Sequence, residues 1–292
     1  MKGSLRSVRE TYAKALLPLY GESEAFSLFH WVAEEIMHVG RAALVARLDE
    51  PLPDEVSARF AAVLARLLRN EPVQYIFHKA YFGDLELYVD ETVLIPRPET
   101  EELVREAASQ VALRGYPLRI LDLCTGSGAI ALMLSKTFPE AEVYACDISE
   151  RALETARRNN TLCGTSVKFF RYDVLSGAPL PEEAFVPSDG FHLVIANPPY
   201  VRQEEKAHMH PNVLDYEPSL ALFVSDTEPL VFYKAIASLA VHILAPDGIL
   251  MEEINEAFPL QNNRIMEEKG LQSIELHRDM QGKFRGISAR KK

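Results

Sequence analysis

"LDLCTGSGAIAL", residues 121 to 132, joins an apolar run, a carboxylate, two glycines and the start of a helical pattern. Gly126 and Gly128 let the backbone pass close to a ligand at the carboxyl edge of a sheet, the place where doubly wound folds hold nucleotides. On its own the turn is ambiguous. Gly126, Gly128 and Ala131 also match the spacing of a dinucleotide loop, and Asp147 closes the next apolar run where ribose hydroxyls would lie.

Around this turn, "RILDL", "AEVYACD", "VKFF", "FHLVIAN" and "GILMEEI" are short apolar runs separated by helical patterns at 129 to 138 and 150 to 162. Their alternation predicts an α/β class: a parallel sheet with helices on both faces. Upstream, apolar residues recur at helical spacing from Val8 through Tyr12, Leu16 and Leu19, and from Phe60 through Val63, Leu64, Leu67 and Leu68, with Pro51 and Pro53 between. Residues 1–74 are therefore expected to form a small helical bundle. Leu85, Leu87 and Val89 alternate with polar neighbours after a Gly83-Asp84 turn signal, so a linking β-hairpin is expected over 75–97. "IPRPETEEL" then opens a helix, with Pro98 suited to its first position and Glu99, Glu101 and Glu102 to its positive end, and 98–292 form the third region.

The 292 residues carry a formal net charge of −11, which argues against a protein whose main task is gripping nucleic-acid phosphate. Hydrophobic residues at 48% and charged residues at 25% fit a soluble globule, with no run long enough to cross a membrane. Arg285, Arg290, Lys291 and Lys292 read as a solvated basic tail. Cys124, Cys146 and Cys163 lack paired spacing and read as reduced, mostly buried thiols, and no leader pattern opens the chain, so a cytoplasmic location is expected. His208 and His210 find no cluster to complete a metal site, and none is expected. A monomer without direct nucleic-acid or membrane partners is the expectation.

Asp122 tells the two possible ligands of the glycine turn apart. It would repel a pyrophosphate in a partly dry site and attract the ammonium group of a methionine moiety, so S-adenosyl-L-methionine is the expected cofactor. Asp173 in "RYDVL" follows the next strand, placed to accept from an adenine amino group beside an apolar wall from Val174. A lone aspartate in such a loop is as often a cap or turn residue. Three at successive strand ends point to a ligand.

"VIANPPYVR", residues 194 to 202, then ends a strand on a stiff corner. Two prolines give up two backbone donors and fix both φ angles, leaving carbonyls free to accept. Amide and aromatic amine nitrogens are poor nucleophiles because their lone pairs are conjugated. The Asn197 side-chain oxygen and the Pro198 carbonyl can take both N–H hydrogens of such a group and aim it at a methyl donor, with stronger acceptance as positive charge develops. Pro199 stiffens the corner and Tyr200 would offer an aromatic face to a planar group and to a sulfonium.

Together these residues resemble the peptide-chain release factor glutamine methyltransferases, the HemK/PrmC family, over nearly the whole chain. The resemblance rests on "EPVQYI" at 71 to 76, "LIPRPETEEL" at 94 to 103, the glycine turn, "NPPY" at 197 to 200, "YEPSLAL" at 216 to 222 and "DMQGKFR" at 279 to 285. It implies a Rossmann-like class I S-adenosylmethionine-dependent methyltransferase domain with a small N-terminal helical bundle and a linking β-hairpin. It also implies a partner and substrate: class-1 release factors, methylated on the side-chain nitrogen of the glutamine in Gly-Gly-Gln. On that reading Cys124, Thr125, Gly126, Ser127, Gly128, Asp147 and Ile148 line the cofactor, Val174 flanks the adenine, and Asn197 to Tyr200 hold the glutamine amide, with Asn197 also touching the cofactor. The N-terminal region would share in release-factor recognition. A ribosomal-protein glutamine methyltransferase is the sibling reading, and an adenine N6-methyltransferase the rival one; acidic charge counts against the latter. Three positions depart from the family: Cys124 replaces the first glycine of the loop, Glu252 stands at an apolar strand position with the local register at stake, and Phe284 replaces an acid, removing an ion pair.

Overall fold

The computed structural model describes residues 3–112, 118–182 and 189–292. The chain divides into two compact units: residues up to Lys79 together with His210–Tyr216, and Ala80–Met209 together with Glu217–Lys292.

In the first unit the predicted apolar stripe lies on α1 (Leu5–Met37), which buries Val8, Tyr12 and Leu16 but, against expectation, leaves Leu19 exposed just before the Gly21 break. This long helix is broken at Gly21, whose φ of 73° and ψ of 174° are open to glycine, after Pro18 has withdrawn a backbone donor. Helices α2 (Arg41–Ala46), α3 (Asp54–Leu67) and α4 (Val73–Phe77) complete the bundle. Tyr12 packs edge-on against Phe29 and Phe60, and its hydroxyl donates to the Phe60 carbonyl at 2.7 Å.

The second unit opens with the hairpin of β1 (Ala80–Phe82) and β2 (Leu85–Leu87), turned at Gly83 with φ 57°. Helix α5 (Pro98–Val111) has Pro98 in its first turn together with Glu99 and Glu101. Glu101 accepts from the Gly83 N–H at 2.8 Å, so an acid suited to the helix end also holds the hairpin turn. There follow β3 (Arg119–Leu123), α6 (Ala129–Thr137), β4 (Glu142–Asp147), α7 (Glu150–Cys163), β5 (Lys168–Arg171) and β6 (Phe191–Ala196). A 3₁₀ turn follows the first strand of a small pair, β7 (Val201–Arg202) and β8 (Phe223–Val224); between them in sequence lie α8 (Pro211–Leu214), which belongs to the first unit, and α9 (Ser219–Leu222). The chain ends with α10 (Val231–Ile243), β9 (Leu244–Glu253), α11 (Pro259–Glu268), β10 (Gln272–Arg278) and β11 (Phe284–Arg290).

The sheet has the order β10-β11-β9-β6-β3-β4-β5. The five apolar runs read from the sequence are its five mutually parallel strands. Two further strands correct the all-parallel expectation: β11 runs antiparallel to β9, and β10 antiparallel to β11. The supposed basic tail is part of this correction, because Arg285 and Arg290 belong to β11, inside the sheet, and Lys291 donates from its ammonium to the Leu244 carbonyl at 2.7 Å. Alternation in "FRGISAR" is weak, and its charged ends hid an interior strand.

The chain moves from β3 to β4 to β5 on one side, then returns to place β6 on the other side of β3. That reversal opens a crevice at the carboxyl ends of β3 and β6, where ligands bind in open α/β sheets. Both faces of the sheet are dry. Leu121, Leu123 and Val194 pack into one buried cluster, while Ile120, Leu193 and Ile195 pack into another with Phe82 and Leu87 of the hairpin.

Gly190 enters β6 with φ 86°, and a Cβ there would lie 2.4 Å from the Ala245 nitrogen. Gly190→Ala is therefore expected to cost about 2–4 kcal/mol, from strain and overpacking together. A urea midpoint within error of the parent protein would show that the β6 entrance is not so constrained.

Candidate active site

A cleft of about 300 Å³ opens at the carboxyl edge of the sheet. Its wall takes Cys124 and Gly126 from the turn after β3, Asp147 and Ile148 from the end of β4, Asp173 and Val174 from beyond β5, and Asn197 and Pro199 from beyond β6. Four successive strand ends thus meet at one place.

Within the loop the glycines divide their work. Gly126 has φ 55° and open space where a Cβ would sit, so a side chain there would enter the cleft it lines. Gly128 has φ 85°, and a Cβ would come within 3.2 Å of the Ala156 Cβ; it serves the packing of α6 against α7. Cys124 has φ 59°, a left-handed conformation in which a non-glycine residue is disfavoured. That geometry explains why glycine suits the first position of the loop, and the Cys124 side chain packs against the core cluster instead.

Asp147 is held from two sides. Its Oδ2 accepts from the Gly126 N–H at 3.0 Å and its Oδ1 from the Ser149 N–H at 2.9 Å. Each oxygen keeps a lone pair for a ligand hydroxyl, and burial pushes its pKa above the ordinary carboxylate value. Asp173 fixes its own turn through Oδ1, which accepts from the Leu175 N–H at 2.9 Å, while Val174 and Ile148 supply apolar wall.

Other expected residues stand behind the wall. Asp122 is fully buried beneath the loop, where its Oδ2 accepts from the Thr125 hydroxyl at 2.6 Å. Burial pushes its pKa up to about 7, against the Thr125 bond that lowers it, and Oδ1 has no partner among the described residues. Its electrostatic reach to a ligand therefore passes through the loop, a correction to the direct approach its place in the sequence suggested. Ser127 and Gly128 sit with Thr125 in this second layer, Ser127 giving its carbonyl to Asn159 Nδ2 at 2.9 Å.

At the corner after β6, Asn197 donates from Nδ2 to the Thr100 hydroxyl at 3.0 Å. Among the described residues no hydrogen bond takes the Asn197 Oδ1 or the Pro198 carbonyl. Tyr200 differs from expectation: its ring packs against the core cluster and its hydroxyl turns inward, donating to Glu253 at 2.9 Å. Burial beside that carboxylate raises the Tyr200 pKa well above the ordinary value, so the phenol keeps its proton.

Several contributors escaped the sequence reading. Glu91 to Val93, just before the proline-rich linker, line the cleft together with the linker's first residue, Leu94. Glu217 of "YEPSLAL", 5% exposed, pins that linker by accepting from the Ile95 N–H at 3.1 Å and from the Arg97 guanidinium at 2.5 Å. The signal was a charged residue between an aromatic and a proline, but nothing local says which distant cation it will meet.

Residues 11–77 match the PrmC N-terminal domain and residues 106–214 the Methyltransferase small domain. The chain is 37% identical over 287 residues to the release factor glutamine methyltransferase of Flavobacterium psychrophilum, spanning 97% of this chain and 98% of that one. It belongs to the release factor glutamine methyltransferase family. The family member from Bacteroides thetaiotaomicron is 42% identical over 229 residues, 78% of each chain. The crystal structure of a methyltransferase from Pyrococcus furiosus, 19% identical, shares the fold with a TM-score of 0.52 over 79% of this chain and 98% of that one.

The remaining departures from the family pattern resolve physically. At Phe284 the expected ion pair gives way to a cation-π contact, with the Arg278 guanidinium 3.7 Å from the ring centroid. At Glu252 the strand register is unbroken: Ala196 and Ile287 pair with it on either side. The carboxylate is 1% exposed and neither oxygen has a partner among the described residues, so burial holds its pKa well above the ordinary value.

The folded chain keeps the Glu252 proton at pH values where the unfolded side chain, with a pKa of about 4.3, has lost it. Its contribution to stability is therefore greatest below that value and is lost as pH rises through the folded pKa. Glu252→Leu is expected to raise stability at pH 8 by about 1–3 kcal/mol and by less at pH 5. Equal gains at both pH values in urea unfolding would mean that ionisation at this position has no part in the effect.

Proposed function

We propose that the protein transfers a methyl group from S-adenosyl-L-methionine to the side-chain nitrogen of the glutamine in the Gly-Gly-Gln motif of class-1 release factors. The observation that carries this reading is the pair of unengaged acceptors, Asn197 Oδ1 and the Pro198 carbonyl, on a corner fixed by two prolines at the cleft. The Flavobacterium psychrophilum relative, named a release factor glutamine methyltransferase, spans 97% of this chain and supports the reading.

When bound, the cofactor supplies a methyl group on a sulfonium. This chain orients what receives it. A carboxamide NH2 has two hydrogens and a conjugated lone pair; acceptance of both hydrogens by Asn197 and Pro198 fixes the nitrogen and strengthens as it becomes positive. No base is needed before attack, because the nitrogen attacks with both hydrogens in place and the cationic amide formed afterwards is acidic. Gly126 would admit the cofactor close to the backbone, Asp147 would accept from its hydroxyls, and Ile148 and Val174 would give it an apolar wall. Such work belongs in the cytoplasm, where release factors act.

Labelled S-adenosylmethionine offered to release factor, ribosomal protein and DNA side by side tests the substrate. Label is expected on the Gly-Gly-Gln peptide; label on DNA alone would transfer the reading to an adenine methyltransferase. Asn197→Ala is expected to fold and bind cofactor yet lose about a hundred- to a thousandfold in turnover, as for removal of one oriented transition-state group. Near-parental turnover would remove Asn197 from the chemistry. Asp147→Ala should chiefly weaken cofactor binding, and an unchanged Kd by calorimetry would take Asp147 out of the site.

A further inference from the structure

We infer that Thr100 and Glu253 are positioning residues that decide which end of the Asn197 amide faces the cleft. This rests on the role proposed above for the Asn197 oxygen.

Three bonds run in one direction. Asn197 Nδ2 donates to Thr100 Oγ1 at 3.0 Å, Thr100 Oγ1 donates to Glu253 Oε2 at 2.5 Å, and the Tyr200 hydroxyl donates to Glu253 Oε1 at 2.9 Å. Thr100 lies in the first turn of α5 and is 4% exposed; Glu253 ends β9 and is 2% exposed. Water has little access to substitute for either.

Counting protons gives the consequence. The two ends of an asparagine amide look alike to most structural methods, so the bonding partners must tell them apart. An ionised carboxylate only accepts, and a hydroxyl has a single hydrogen. Thr100 gives that hydrogen to Glu253, leaving only its oxygen for Asn197, and only the NH2 end of the amide can meet an oxygen. The carbonyl end is then the one presented to the substrate. With a proton on Glu253 the order can reverse: the carboxylic acid donates to Thr100, Thr100 donates to Asn197 Oδ1, and the NH2 turns toward the cleft. Two NH2 groups facing each other repel, and the substrate nitrogen loses an acceptor.

The same carboxylate also holds Tyr200, so it grips both ends of the Asn-Pro-Pro-Tyr corner. Facing it are Glu99 and Thr100 from α5, Tyr200 from the corner and Arg285 from β11. Burial raises its pKa above the ordinary carboxylate value and Glu99 adds to the shift, while Arg285 and the two hydroxyls oppose it. The acid limb of turnover is therefore expected above the ordinary carboxylate range.

Thr100→Val keeps the shape and removes the hydroxyl, Thr100→Ser keeps the hydroxyl, and Glu253→Gln removes the charge. Single-turnover methylation of release factor, at saturating cofactor and substrate, is expected to fall about ten- to a hundredfold in Thr100→Val and Glu253→Gln. Thr100→Ser should return to within about threefold of the parent, cofactor Kd should stay unchanged in all three, and the acid limb should vanish in Glu253→Gln. Parental turnover in Thr100→Val, or a loss that serine does not rescue, overturns the inference. A second readout needs no activity: the side-chain ¹⁵NH2 resonance of Asn197, assigned by its loss in Asn197→Asp, should shift in Thr100→Val and titrate with acid in the parent but not in Glu253→Gln. An Asn197 resonance indifferent to both substitutions overturns the inference even if the substrate reading stands. A parent protein that leaves release factor unlabelled overturns the substrate reading, and the resonance then decides the orientation separately.

Discussion

Strand β6 is hydrogen-bonded on both sides, to β3 and to β9, and the chain leaves it through two prolines. Ala196 sits in register with Leu123 and with Glu252, so the residue that follows has no freedom to drift along the sheet. The proline rings then remove the torsional freedom that a loop normally retains. The role proposed for Asn197 depends on this arrangement, because an acceptor orients a weak nucleophile only if it is itself immobile. The topological reversal that sets β6 and β4 on opposite sides of β3 puts the glycine loop beside that corner without any further device.

Around the corner the protein gathers carboxylates in dry places. Asp122 lies under the loop, Asp147 at its edge, and Glu252 and Glu253 side by side at the end of β9. Alternation along β9 turns the last two to opposite faces of the sheet. Glu253 meets two hydroxyls, whereas Glu252 meets none among the described residues. Neighbouring positions of the same residue type thus have opposite energetic standing: one organises a network and the other is a buried acid without compensation. Asp147 and Glu253, the two whose oxygens both hold hydrogen-bond donors, are the ones able to keep negative charge near the cleft, which suits a ligand whose reactive end is a cation.

Much of this was legible in the sequence because the signals are local. The glycine turn at Gly126 and Gly128, the five apolar runs, Pro98 opening α5 and the stiff Asn-Pro-Pro-Tyr corner each follow from residue type and spacing within a few positions. Local patterning therefore determined the α/β class and set the glycine turn and the stiff corner at strand ends. Tertiary structure alone decided the rest, because it depends on which distant residues come into contact. Glu217 reaches Arg97 across 120 positions and Thr100 reaches Glu253 across 153. The antiparallel hairpin of β10 and β11, with Arg285 and Arg290 drawn into the sheet, and the inward turn of Tyr200 are likewise invisible to spacing. Period and composition report what a segment prefers by itself, but a buried hydrogen bond is settled by the partner that folding brings to it, and only the assembled sheet supplies that partner.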